Sequence, residues 1–438
     1  MESEKIESIV KAVVEELSRR GQTGAGSGGP PKSSSPPVKK NKLKIAVLGA
    51  GNSGNAMAGH LVLKGFSVNF WSFFDFELAP VIQNGGIRME GEVAHGLAKP
   101  EMVTNCLDKA VKDVDLIMIN TPATVHRTLA SILCGLLRDG QIVVLNPGRT
   151  GGALEFARTL KRYAIRAKIF LAEAQTFIYA AELRGPGAVE ILKEKNKMRV
   201  AALPAKDNRC VMDILVQVYP QIEAAQNVLE TSLNNVGAVN HPAPMLLNTS
   251  IIERSAAGED LRFYRDLITR PIVEMVMEKI DDEKVSVAKA FGLDAWTCLD
   301  WYRESYGVTG PSLYDVYHNN PYYLGFHAPT DILQLNNILD EVPNSLVPLA
   351  SFGDLVGIDT PAIDSLINLA CTMIDIDFWT EGRTVESLGL GKRSPKEMLQ
   401  YVEEGDPFGR CREGRLCRSI SWTQNGVLRT QSGVLKGS

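Results

Sequence analysis

The chain has 438 residues, 45% of them hydrophobic, which is more than one core usually absorbs, since cores rarely grow past ~250–300 residues. Its 47 Lys and Arg against 51 Asp and Glu give a formal charge of −4, without the general basic field that a nucleic-acid partner requires. No apolar run approaches the ~20 residues that span a bilayer, and the N-terminus is charged from Glu2 onward with no secretory core, so no membrane contact and a cytoplasmic location are expected.

Residues 1–20 read as an amphipathic helix, with Ile6, Ile9, Val10, Val13, Val14 and Leu17 on one stripe and Gly21 as its stop. Residues 21–42 form a Gly/Ser/Pro-rich linker. From Leu43 the pattern becomes α/β. LKIAVLGAG is a buried strand by its apolar continuity, NSGNAMAGHLVLKG a helix closed by Gly65, and FSVNFW a second strand. DVDLIMINTPA and GQIVVLNPG supply two more strands around a helix in TVHRTLASILCGLL, and AKIFLAEA and KMRVAALPA complete a doubly wound parallel sheet over residues 43–203. Beyond Pro204 helical patterns take over: DILVQVYPQIEAAQNVL, TSLNNVGAVN, RPIVEMVMEKIDDEKVSVAKAFG and TPAIDSLINLACTMI predict an all-α substrate domain over 204–405. Residues 406–438 are polar and predicted to be poorly ordered. The seven cysteines include no CxxC pair and no zinc-type spacing, so they read as reduced thiols and no metal site is expected.

Gly49, Gly51 and Gly54 form a GxGxxG turn between a strand and a helix, the setting in which that motif holds a dinucleotide. Gly49 permits the tight turn, Gly51 the approach of the pyrophosphate and Gly54 the packing of helix on strand, while Asn52 opens the helix whose free amides face phosphate. An acid at the end of the second strand would bond the adenine ribose and repel a 2′-phosphate. That place falls to Ser72, with Asp75 three residues on and no Arg in the next ten, so the cofactor is NAD or NADP.

His241 follows a helical stretch and precedes Pro242 and Pro244, which should force the chain out of helix just after it. Hydride transfer to a carbonyl or imine needs a proton donor, and histidine is the side chain best matched to neutral pH.

The motifs GAGNSGNAMAGHL, NTPATVH, LNPGRTGGALEF, NVLETSLNNVGAVNHPAP, AKAFG, WYRESYG, SLVPLASFG and DFWTEGRTVESLGL resemble the opine dehydrogenase family across residues 43–403. The resemblance implies reductive condensation of a 2-oxo acid with an amine or amino acid by NAD(P)H, and a homodimer as the assembly. It makes His241 the catalytic histidine and sets Thr121, Pro122, Ala123 and Asn146 over the nicotinamide side, with His126 near the cofactor and substrate. The family's orienting Asp falls on Glu341, with Asp340 as the alternative carboxylate. The substrate-holding Arg five residues earlier falls on Asn336, and Arg149 could restore the positive charge from across the cleft. A reductase of the ketopantoate type and a cofactor-binding protein without turnover are the competing readings. Residues 1–20 resemble the encapsulation peptides of bacterial microcompartments, which implies a shell protein as partner and a location inside the shell.

Overall fold

The computed structural model describes residues 43–331 and 337–408; the N-terminal helix and linker expected over 1–42, Asn336, and the tail beyond 408 lie outside the described residues. Apolar runs too short for helices form the strands β1 (Lys44–Leu48), β2 (Ser67–Trp71), β3 (Ile87–Glu90), β4 (Gly96–Ala98), β5 (Met102–Thr104), β6 (Leu116–Ile119), β7 (Ile142–Leu145), β8 (Phe170–Ala174), β9 (Tyr179–Gly185), β10 (Ala188–Glu194), β11 (Met198–Leu203) and β12 (Ile222–Ala224). Leu116–Ile119 and Ile142–Leu145 are buried at every position, as strands covered on both faces must be.

Eight strands form one sheet in the order β12-β11-β8-β7-β6-β1-β2-β5. From β5 to β8 all neighbours are parallel, so the expected doubly wound sheet is present. β11 then runs antiparallel to β8, and β12 parallel to β11. The sheet therefore reaches residue 224, past the expected limit of 203. The difference arises at Pro220, where a stretch that reads as one helix splits into the helix Asn208–Val218 and strand β12. A second sheet, β4-β3-β10-β9, rests on the helix Asn52–Leu63 and was not expected.

After β12 the described elements are helical, but shorter than their sequence patterns. TSLNNVGAVN breaks into the end of Val228–Leu233 and the short Gly237–Asn240. The prolines after His241 start a new helix, Pro242–Leu247, with Pro242 at a position where no amide donor is needed; the chain bends at His241 and re-enters helix. Two apolar cores exist, though they do not divide one per domain. One lies between the large sheet and the small one, whereas the other runs from the opposite face of the large sheet (Leu48, Ile119, Leu145) into the helices (Val239, Met245, Leu346). Sheet and helices thus share a core, and the described residues form one compact unit.

β1 stands between β2 and β6, so the connections leave it in opposite directions and open a crevice at the carboxyl ends of β1 and β6. The glycine turn occupies that point. A Cβ on Gly54 would lie 1.7 Å from the Gly49 carbonyl oxygen, so helix and strand touch through that missing side chain. Gly54→Ala should therefore destabilise the fold by about 1–3 kcal/mol, as overpacking does, and a denaturant midpoint equal to that of the parent chain would contradict the contact.

Candidate active site

Gly49 adopts φ +111 and its amide donates to the Trp71 carbonyl at 2.8 Å, which pins the turn to the end of β2. Over Gly51 an added Cβ would meet nothing within 4 Å, so the backbone there is open to a phosphate. Asn52 accepts from the Leu183 amide at 3.3 Å, which ties the first helical turn to β9. At the ends of β6 and β7, Asn120 Oδ1, Thr121 Oγ1 and Asn146 Oδ1 are buried with no partner among the described residues. Unpaired polar atoms in a crevice are costly unless something meets them. An open glycine turn and three orphaned oxygens fit a dinucleotide: the backbone at Gly51 would admit phosphate, and Thr121 and Asn146 would offer partners to a polar group.

His241 lies at the bend between Gly237–Asn240 and Pro242–Leu247. The preceding residue, Asn240, holds the bend in place: its amide donates to Tyr302 Oη at 3.1 Å and its oxygen accepts from the Tyr317 hydroxyl. His241 Nδ1 is 2.6 Å from Glu341 Oε1. The side chain of Glu341 is fully buried and that of His241 24% exposed, so the imidazole is fixed through Nδ1 and Nε2 is left for chemistry.

Glu341 also pairs with Arg149 Nη1 and accepts from Ser345 Oγ at 2.5 Å. Asp340 takes the other side of the same guanidinium, with Oδ2 3.1 Å from Arg149 Nε, while its Oδ1 accepts from the Thr124 amide at 3.1 Å. Of the two adjacent acids, Glu341 is the one that meets the imidazole. Burial pushes its carboxyl up, but the Arg149 charge and the His241 contact prevail and hold it below the usual range. Asp340 ends above its usual range, since burial there outweighs Arg149 and the neighbouring Glu341 adds to the upward push. Room for these groups comes from Gly237, where a Cβ would stand 2.5 Å from Glu341 Oε1 and 2.6 Å from Arg149 Nη1.

Arg149 thus differs from its expected role. Its side chain is 16% exposed and its charge is committed to Asp340 and Glu341, so it holds the site's carboxylates where a substrate contact was expected. His126 differs too: it is completely enclosed at the start of the helix His126–Leu133, beyond a substrate's reach. Burial first, then the charge of Arg383, lowers its pKa to about 3, so it is a neutral packed imidazole.

Arg383 escaped the sequence reading. It is 1% exposed, forms a two-pronged pair with Glu155 Oε2 at 2.8 and 3.0 Å, and donates to the carbonyls of Gly148, Thr150 and Ala123 at 3.1–3.4 Å. It therefore fixes both the loop that carries Arg149 and the turn after β6. Its motif, DFWTEGRTVESLGL, contributed to the family resemblance, yet nothing in the spacing marks a partner 228 residues away. Arg383→Met leaves Glu155 buried with only the exposed Arg127 as partner, and should cost about 3–5 kcal/mol in a urea titration. A loss under ~1 kcal/mol would mean that the pair is dispensable.

Comparison with known proteins agrees with this arrangement. Residues 224–374 match the family described as NAD/NADP octopine/nopaline dehydrogenase, alpha-helical domain, and residues 44–195 match the NAD-dependent glycerol-3-phosphate dehydrogenase N-terminus. An opine dehydrogenase from Arthrobacter sp. (strain 1C) is 38% identical over 358 residues, 82% of this chain and 98% of that relative. The Ocs protein of Agrobacterium tumefaciens (strain Ach5) is 23% identical over 79% of this chain and 95% of its own length. An octopine dehydrogenase solved with NADH and L-arginine shares the fold at TM-score 0.62 and 18% identity, covering 80% of this chain and 99% of that one. Identity of 38% across nearly the whole of a relative shows that the chain belongs to the opine dehydrogenase family, the NAD(P)-dependent dehydrogenases that act on CH–NH groups.

Proposed function

We propose that this enzyme condenses a 2-oxo acid with the amino group of an amino acid or amine and reduces the resulting C=N bond, with His241 as the proton donor. The observation that carries this reading is the half-enclosed imidazole held through Nδ1 by a buried, ionised Glu341. Condensation joins nitrogen to the carbonyl carbon and releases the oxygen as water. A dinucleotide held at the Gly49–Gly54 turn would supply the hydride for that carbon. His241 Nε2 gives its proton to the nitrogen as the electron pair arrives there, so the product is a neutral secondary amine. Glu341 selects the tautomer and steadies the imidazolium, and Arg149 keeps Glu341 ionised. Asp340 joins Arg149 to the Thr124 amide, beside the turn proposed to hold the nicotinamide.

The test crosses 2-oxo acids with amines and follows reduced cofactor by absorbance. Consumption should require both substrates; consumption with an oxo acid alone would favour the ketopantoate-type reading. His241→Ala should lower turnover by ~10²–10⁴ while dinucleotide binding changes little, and near-normal turnover would remove it from the chemistry. Glu341→Gln should be more damaging than Asp340→Asn, because only Glu341 touches the imidazole.

The segment 1–20 keeps its proposed role as a recruitment signal for a microcompartment shell, supported by the helical spacing of its apolar residues and the Gly/Ser/Pro-rich composition of residues 21–42. Fused to a fluorescent protein in a host that makes the matching shell, it should give punctate signal; diffuse signal would count against that role.

A further inference from the structure

We infer that Glu77 makes this enzyme prefer NADH, by placing a carboxylate at the adenine-ribose position although no acid ends β2. The inference rests on the dinucleotide reading of the glycine turn. Gly49 is hydrogen-bonded to Trp71, the last residue of β2, so Ser72 stands directly beside the turn. Where an acidic residue would bond the ribose, Ser72 is too short and carries no charge. Its hydroxyl, however, donates to Glu77 Oε2, and the same oxygen atom of Ser72 accepts from the Phe74 amide at 3.2 Å.

Glu77 comes from the first turn of the helix Asp75–Gln83 and is half-buried, so the helix returns a carboxylate to the strand end. Its second oxygen, Oε1, has no partner among the described residues and remains available to a ribose hydroxyl. Asp75, the nearer acid in sequence, is turned elsewhere: its Oδ1 accepts from Asn105 Nδ2 at 2.7 Å, just past the end of β5. From Ser72 to Gly86 the chain holds no Lys, Arg or His, so nothing in this segment would compensate the charge of a 2′-phosphate. A fixed carboxylate without a neighbouring cation accepts a 2′-hydroxyl and repels a 2′-phosphate.

Direct binding to the full-length protein tests this without recourse to catalysis. NADH and NADPH are titrated separately, by calorimetry, into the parent chain, Glu77→Gln and Asp75→Asn, with thermal melts to confirm folding. The parent chain should bind NADH more tightly. Glu77→Gln should shrink the NADH-to-NADPH affinity ratio on the order of tenfold or more, because it removes a like-charge contact near the surface, and Asp75→Asn should leave the ratio unchanged. A measurement that needs no variant compares 5′-AMP with 2′,5′-ADP on the parent chain, where the extra phosphate should weaken binding. An unchanged ratio in Glu77→Gln, a parent chain that binds both cofactors equally, or tighter binding of 2′,5′-ADP would overturn the role of Glu77 while leaving the dinucleotide site intact. If neither cofactor binds, the dinucleotide reading itself falls.

Discussion

One buried cation holds this enzyme together at its working point. Arg149 comes from the sheet domain and its two carboxylate partners from the helical domain, and all three side chains are largely or wholly removed from water. Two adjacent carboxylates cannot both stay ionised in such surroundings without a shared counter-charge, and a buried guanidinium is equally costly without acceptors. Their mutual satisfaction joins the sheet side to the helical side where the imidazole sits. The supporting shell has the same logic. Arg149 itself has φ +60, a left-handed conformation that an Arg rarely adopts, and its loop is tied down next door by Thr150 N to Asn344 O, Thr150 Oγ1 to Ser232 O and Gly151 N to Ser232 Oγ.

The family resemblance leads one to expect an orienting Asp where this chain has Glu341, and the structure accommodates the longer side chain. A longer carboxylate needs space and more than one anchor. Gly237 provides the space, and His241, Arg149 and Ser345 provide the anchors, so the extra methylene is absorbed without releasing the imidazole. The hydrophobic staging of the bend works alongside: Phe263 meets the His241 ring edge-on at 6.3 Å, and two tyrosines hold Asn240.

How much of this was legible in the sequence depends on how local each signal is. The large sheet was readable because parallel strands buried on both faces appear as unbroken apolar runs, and the glycine turn because each glycine answers to a contact within the same strand–turn–helix unit. The small sheet was not. β3 and β4 have four and three residues, too few to display alternation, and β9 and β10 carry Glu182, Arg184 and Glu190 on a surface face, although Pro186 and Gly187 between them are a turn signal that could have been read. Adjacent helical positions point ~100° apart, which allowed the choice of Glu341 over Asp340 to be posed. That both would grip one arginine depends on residues 191 and 192 positions away, and no periodicity encodes a contact at that range. Glu77 is a milder case. Its reach back to Ser72 spans only five residues, but it requires knowing that the helix begins at Asp75.

The long separations of these pairs also impose an order on biosynthesis. The ribosome delivers Arg149 and Glu155 early, in a sheet domain whose strands can already pair, yet their partners Asp340, Glu341 and Arg383 emerge some 190–230 residues later. At ~5–20 residues per second the wait lasts on the order of ten seconds or more. Through that interval the loop at Gly148–Thr150 has neither its guanidinium clamp nor its carboxylates, and the core that the sheet and its own helices share with the later helices is unfinished. The nascent chain thus passes through a stage at which its cofactor turn can be complete while its proton-donating half does not yet exist. Residues made late, Asp340, Glu341 and Arg383, join the two.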